Sequence, residues 1–340
     1  MVLCASCNAA APELTSTSQS DDAERVVIGK TYTIQSEVLG TDRRLTVRLP
    51  TRYVSEPDAE FPVLYLMDGG PEQDFPHIAG ILQSTDINWT VEPMIVVGVE
   101  TVDRATEITP PSDNPEYDET FPNRGGADAF RQFLQIDVLP WVESKYRTDD
   151  RRILLGESLA GLFVLETYLK TPNLFTHYGS ISPSLWWDEL SVAQTAETTL
   201  NDPDRKPPTL YVTMGSEGGE MQRGLDMVLK ALRQTKTPNW TYVDRRNSED
   251  HGTIYHPSAL DMLRTYFSTP YRAGVGSDTF WMFENGVVPP LSDKAKANIE
   301  IECTKESAEK ITFEMYNSNP NLWRGVCVLI KPGVRATQKG

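Results

Sequence analysis

Apolar positions along the chain follow two rhythms. Eight short runs rich in Val, Ile, Leu, Tyr and Thr read TYTIQSEV, RLTVRLP, PVLYLMD, MIVVGVE, RILLG, HYGSIS, TLYVTMG and WTYVDRR. The first two alternate apolar and polar side chains, the period of a strand at a half-wet, antiparallel edge. Several later runs are almost wholly apolar, as strands covered on both faces are. Residues 74–84, 126–144, 159–170, 220–236 and 256–268 carry helical spacing instead. Such alternation predicts an α/β fold: a mostly parallel, doubly wound sheet of eight strands with helices on both faces and an antiparallel start.

Two stretches break the rhythm. Residues 100–125 form a long polar loop rich in Pro, Asp and Glu, the kind of loop that often serves as a lid or binding loop. After Phe267 the runs NIEIEC, KITFEMY and VCVLIKP follow one another without helices between them, which predicts a small β-rich C-terminal appendage. The expected division is a leader or disordered tail over 1–27, the α/β domain over 28–270 and the appendage over 271–340.

The composition narrows the classes. The 340 residues, 39% of them hydrophobic, with 24 Pro and 22 Gly, suit an ordered globular chain with many turns. A formal charge of −16 lacks the basic footprint that phosphate binding needs, so no nucleic-acid partner is expected. No stretch reaches the roughly 18 apolar residues of a membrane helix. Before Cys7 the small residues resemble the end of a signal peptide, without its basic start. Export, to the periplasm or as a lipoprotein on Cys7, is the expectation, with a cytoplasmic chain as the alternative. Cys303 and Cys327 then form a disulfide or remain reduced and buried. The spacing of the cysteines and of the four histidines matches no metal site, and no cofactor is expected.

The chemistry centres on Gly156-Glu157-Ser158-Leu159-Ala160-Gly161. Gly-x-Ser-x-small alone is weak, but here a buried-strand pattern ends at the glycine and a helical pattern begins after the serine. That is the context of a nucleophile elbow, where small residues let helix and strand approach. The competing reading is Ser158 as an ordinary helix cap. Glu157 stands near a helix N-terminus, which favours a carboxylate.

A serine hydroxyl needs a base. His251 follows the last strand, where the order Ser, acid, His requires the base. His256 is the rival but falls at a helix start beside Pro257, and His77 and His177 lie within elements. The acid is expected after TLYVTMG, where Glu217 comes first and Glu220 second. Donors for a developing oxyanion are expected at the Leu159 amide and in the loop after VLYLMD. There Pro71 has no N–H, leaving Gly70, with Gly69 close behind.

With these pieces placed, the sequence resembles the α/β-hydrolase family of esterases that includes the enterochelin (siderophore trilactone) esterases and esterase D-like enzymes. The resemblance covers about residues 30 to 268 and rests on FPVLYLMDGG, on the long segment from GGADAFRQFLQ to SPSLWWD, and on HGTIYHPSALDMLRTYF. It implies a serine carboxylesterase with Ser158 as nucleophile and His251 as base. Glu157 and Ala160 stand where that family usually has His and Gly, and the resemblance does not choose between Glu217 and Glu220.

The expected function is hydrolysis of a small ester or lactone, siderophore-like lactones among them, through an acyl-enzyme. Alternatives are an acyltransferase or thioesterase on the same triad, or a non-catalytic binding protein on the scaffold. Trp186 and Trp187 follow HYGSIS at the sheet's carboxyl end, as pocket walls or as local core. Arg104 and Arg124, in or beside the long loop, are candidates for an anionic substrate group against the commoner salt-bridged surface arginine.

Overall fold

The computed structural model describes residues 24–201, 208–235 and 239–269, together with the backbone of three further strands. Its main sheet holds β1 (Lys30–Gln35), β2 (Asp42–Arg48), β3 (Phe61–Met67), β4 (Ile95–Val99), β5 (Thr148–Glu157), β6 (His177–Ile181), β7 (Thr209–Met214) and β8 (Trp240–Asp244). They lie side by side in the order β1-β2-β4-β3-β5-β6-β7-β8. β1 pairs antiparallel with β2, and β2 antiparallel with β4; every later pairing is parallel. All eight predicted strands are present.

Helices α1 (Arg52–Ser55), α2 (Phe75–Ile87), α3 (Arg104–Ile108), α4 (Ala127–Phe133), α5 (Leu139–Lys145), α6 (Leu159–Lys170), α7 (Ser191–Leu200), α8 (Gly219–Gln234) and α9 (Tyr255–Phe267) fill the connections. A π-helical segment, Leu134–Val138, joins α4 to α5 just before Pro140. Proline has no N–H for the carbonyl one turn earlier, so the ladder widens there. The long loop contains α3 and a single 3₁₀ turn, Pro115–Tyr117.

Alternation along β3 shows how the sheet divides the core. Val63, Tyr65 and Met67 face one side, with buried residues of α4, α6, α7 and α8; Leu64 and Leu66 face the other, with α2 and α9. Burying both faces explains the continuous apolar runs of β3 and β4. Where the parallel strands end, the backbone turns sharply: Asp68 after β3, Ser158 after β5 and Ser182 after β6 have φ of 51°, 62° and 41°.

A second, antiparallel sheet comprises β9 (Phe280–Glu284), β10 (Lys310–Phe313) and β11 (Gly325–Leu329), with β11 central. The NIEIEC run, Cys4, Cys7 and Cys303 lie outside the described residues, and so does the question of a disulfide. Among the described residues no helix is long and apolar enough to cross a membrane, and none form a cluster of three or more metal-ligating side chains.

Candidate active site

Ser158 sits between the last residue of β5 and the first of α6, at φ 62° and ψ −121°. Positive φ at a non-glycine residue costs on the order of 1–3 kcal/mol. Each fully buried apolar side chain contributes about 1.5–3 kcal/mol, and α6 is buried from Leu159 to Leu169, so packing overrides the local strain. The Ser158 N–H donates to Ile181 O at 3.1 Å, and its carbonyl accepts from Leu162 N at 2.9 Å and Ser184 N at 3.0 Å. Its side chain makes no capping bond to α6. The flanking glycines are required by contact: a Cβ at Gly156 would lie 2.8 Å from Ala160, and one at Gly161 2.5 Å from Ile181 O.

The hydroxyl points instead along a chain of polar side chains. Ser158 Oγ is 3.0 Å from His251 Nε2, and His251 Nδ1 is 3.1 Å from Glu217 Oε1. Each partner comes from a different turn at the carboxyl end of the sheet: Glu217 after β7, His251 after β8. Ser216 N–H donates to Glu249 O at 3.0 Å and ties those two turns together. Glu217 is nearly buried at 8% side-chain exposure, whereas His251 is 44% exposed and open to solvent. Glu220, the alternative acid, pairs with Arg223 on the surface of α8 at 3.4 Å. His256, the alternative base, lies on α9 with its ring 5.8 Å from that of His77.

Two hydroxyls that sequence reasoning did not single out join this chain. Buried Ser182 donates to Glu217 Oε1 and lies 3.1 Å from His251 Nδ1. Ser184 Oγ is 3.3 Å from Ser158 Oγ. The available signal was positional, since both belong to SIS-PS, the turn after a parallel strand, where such folds place their sites.

On the other side of the imidazole lies Glu157, with Oε1 3.4 Å from Nε2. Burial pushes its carboxyl up to about 7, against the pull of His251 and Arg104 and with the push of Asp74 and Asp68. Arg104 is held by Asp68, Nε to Oδ2 at 2.6 Å, and donates to the Glu157 carbonyl at 3.1 Å. Asp68 in turn accepts from Thr101 Oγ1 at 2.5 Å.

The expected oxyanion donors differ in their engagement. Leu159 N–H belongs to the first turn of α6, which has no intrahelical acceptor. Gly69 N–H donates to Val99 O at 2.8 Å. Gly70 N–H donates at 2.9 Å to Gln73 Oε1, whose amide is anchored on Thr101 O and Oγ1 at 2.9 and 3.1 Å. Any other acceptor at Gly70 therefore displaces the Gln73 side chain.

The long loop folds over an aromatic cluster. Trp187 is fully buried, donates from Nε1 to Pro110 O at 3.1 Å and stacks on Tyr117 at 4.7 Å. Trp186 is half-buried, with its ring 6.1 Å from both Tyr117 and Phe121. Of the two tryptophans, Trp186 alone retains surface to offer. Arg124 is turned inward: it donates to the carbonyls of Ser112, Phe121 and Asn114 at 2.8, 3.1 and 3.0 Å and to Asp118 Oδ1 at 2.9 Å. Its guanidinium staples the loop to itself.

The family described as "Putative esterase" matches residues 36–262. Uncharacterised protein YbbA of Bacillus subtilis is 27% identical over 237 residues, 65% of this chain and 89% of its own length. Ferri-bacillibactin esterase BesA of the same species is 29% identical over 175 residues, covering 47% of this chain and 61% of BesA. Apo-salmochelin esterase of Escherichia coli is 34% identical over 140 residues, 38% of this chain and 43% of the relative. The chain thus matches less than two thirds of the length of these two esterases. Among solved structures, the BES protein of Bacillus cereus superposes with a TM-score of 0.63 at 23% identity, covering 74% of this chain and 100% of that one. An IroE-like serine hydrolase of Shewanella oneidensis gives 0.62 at 24%, with 70% and 80% covered. Both share the α/β-hydrolase fold. The chain belongs to this esterase family, on its enterochelin esterase-like side.

Proposed function

We propose that the chain hydrolyses a small carboxylic ester or lactone through an acyl-enzyme on Ser158. The observation that carries the reading is the unbroken chain Ser158 Oγ, His251 Nε2, His251 Nδ1, Glu217 Oε1, at 3.0 and 3.1 Å, leading from a positive-φ turn. His251 takes the serine proton as Oγ attacks the acyl carbon, and Glu217 holds the imidazole in the required orientation. The Leu159 amide stabilises the oxyanion, joined by the Gly70 amide once Gln73 Oε1 yields its place. The Nε2 proton passes to the leaving alcohol as the ester bond breaks. A water attacking through the same base then releases the acid and restores Ser158.

The siderophore esterases among the relatives support a lactone or ester of siderophore type as substrate. The half-buried Trp186, with Tyr117 and Phe121, offers such a molecule an aromatic wall. Ser158→Ala is expected to abolish hydrolysis of a short p-nitrophenyl ester and labelling by a fluorophosphonate probe. Full activity in that variant would overturn the reading.

The division into 1–27, 28–270 and 271–340 belongs to the same proposal, supported by the change of pattern after Phe267. So does export, supported by the small residues before Cys7. Fractionation of cells expressing the chain tests export, and recovery wholly in the cytosol would refute it.

A further inference from the structure

The imidazole of His251 lies between two carboxylates. Glu217 Oε1 is 3.1 Å from Nδ1, and Glu157 Oε1 is 3.4 Å from Nε2, the nitrogen that Ser158 Oγ also approaches to 3.0 Å. Glu157 Oε1 is buried, yet no group in the described residues donates a hydrogen bond to it. Buried acceptors without a donor are unfavourable and normally find one. The donor at hand is an Nε2–H, which His251 gains on taking a proton when its other ring hydrogen, Nδ1–H, faces Glu217 Oε1 at 3.1 Å.

We propose that Glu157 is a positioning residue for His251: its carboxylate competes with the serine and leaving-group oxygens for the Nε2 proton, tying turnover to the protonation of the Glu157–His251 pair. The proposal rests on the reading of Ser158 as nucleophile and His251 as base. In the productive state neither Oε1 nor Nε2 carries a proton, and the Ser158 hydroxyl donates to Nε2. As Oγ bonds to the acyl carbon, Oγ–H breaks and Nε2–H forms. Glu157 steadies the cation until the proton passes to the leaving oxygen. When the pair takes a proton from solvent first, the same contact traps it. On Nε2 it points to Oε1; on Oε1 it donates to the Nε2 lone pair. Either placement leaves Ser158 without a base.

The groups facing Glu157 are His251 from the turn after β8, Arg104 from α3, Asp68 and Asp74 from the loop after β3, and Tyr255 from α9. Arg104 is engaged with Asp68 and with the Glu157 carbonyl, so it supplies no hydrogen bond to the carboxylate. With its carboxyl pushed up to about 7, Glu157 changes charge in the neutral range, where the contact with Nε2 matters most.

The test is the pH dependence of kcat/KM for a p-nitrophenyl ester, from about pH 5 to about pH 9, in wild type, Glu157→Gln and Glu157→Asp. Removing the charge in Glu157→Gln moves the acid limb to lower pH by about one unit, so kcat/KM below the wild-type midpoint rises several-fold relative to wild type. Glu157→Asp, its charge drawn back by one methylene, moves the limb part of the way. Coincident limbs, or a limb displaced upward, overturn the proposal. If Glu157→Gln does not fold, Glu157→Asp decides by the same criterion. Ser158→Ala separates the two readings. If it hydrolyses the ester like wild type, the nucleophile reading fails. If it is inactive while the Glu157 variants keep the wild-type limb, only the role of Glu157 falls.

Discussion

Ser182 and Glu217 are joined by one hydroxyl, which donates to Glu217 Oε1 while lying 3.1 Å from His251 Nδ1. Ser182 is fully buried and held at φ 41° by the turn after β6. The carboxylate thus accepts from a rigid neighbour as well as from the imidazole, and its direction is set before any substrate arrives. Glu217 Oε2 is buried without a partner, so little else restrains it.

Ser182→Ala is therefore expected to lower kcat while leaving KM nearly unchanged. A hydrogen bond to a charged group is worth about 1.5–3 kcal/mol, which corresponds to roughly 10- to 100-fold in rate. Because the effect passes through Glu217, the same change in a Glu217→Ala background is expected to add almost nothing. Steady-state kinetics on the four proteins measures both, and additive losses would place Ser182 outside the relay.

Arg124→Met is expected to loosen the loop rather than remove a substrate contact. It leaves three carbonyls and the Asp118 carboxylate without their shared donor, and the loss should come to about 1–3 kcal/mol for so superficial a segment. Limited proteolysis should then cut between Ser112 and Phe121 faster than in wild type. A variant with unchanged proteolysis and a raised KM would return Arg124 to the role of anion binder.

His177 gives the fold an acid limit. Burial, assisted by Arg151, lowers its imidazole to about 4 from an ordinary 6.5. Its ring packs 4.8 Å from that of Phe267, and Nδ1 meets Thr176 Oγ1 at 2.9 Å. Between those two pH values the unfolded chain binds a proton that the folded one refuses, so this contribution is complete above about 6.5 and disappears as pH falls towards 4. His177→Gln should flatten that part of the curve of Tm against pH. An unchanged slope would assign the acid sensitivity to other groups.

The strands and the larger helices were legible because burial on one or both faces writes a period of two or an unbroken apolar run, and packing on one face writes a period of 3.6. α7 escaped: SVAQTAETTL is rich in Thr, a weak helix former, and only Val192, Ala193, Ala196 and Leu200 mark its buried side. Ser158, Glu217 and His251 were legible because each follows its own strand in a fixed order. Ser182, Ser184 and the contact of Glu157 with His251 were not, since they depend on which turns the sheet brings together. The inward turn of Arg124 and the pairing of Gly70 with Gln73 are likewise tertiary facts, invisible in local composition.

The close passage of β5 and α6 also bears on which changes the elbow can absorb over generations. A methyl placed on Gly156 would meet not only the side chain of Ala160 but its carbonyl carbon and oxygen, all at 2.8 Å. Trimming residue 160 to glycine cannot open that space, because two of the three obstacles are main chain. Drift is thus one-sided: position 160, inside α6, can trade alanine for glycine at about 1 kcal/mol of helix propensity, whereas 156 stays locked whatever its neighbour becomes. A saturation library across Gly156–Gly161 should record that asymmetry as survivors at 160 and an empty column at 156.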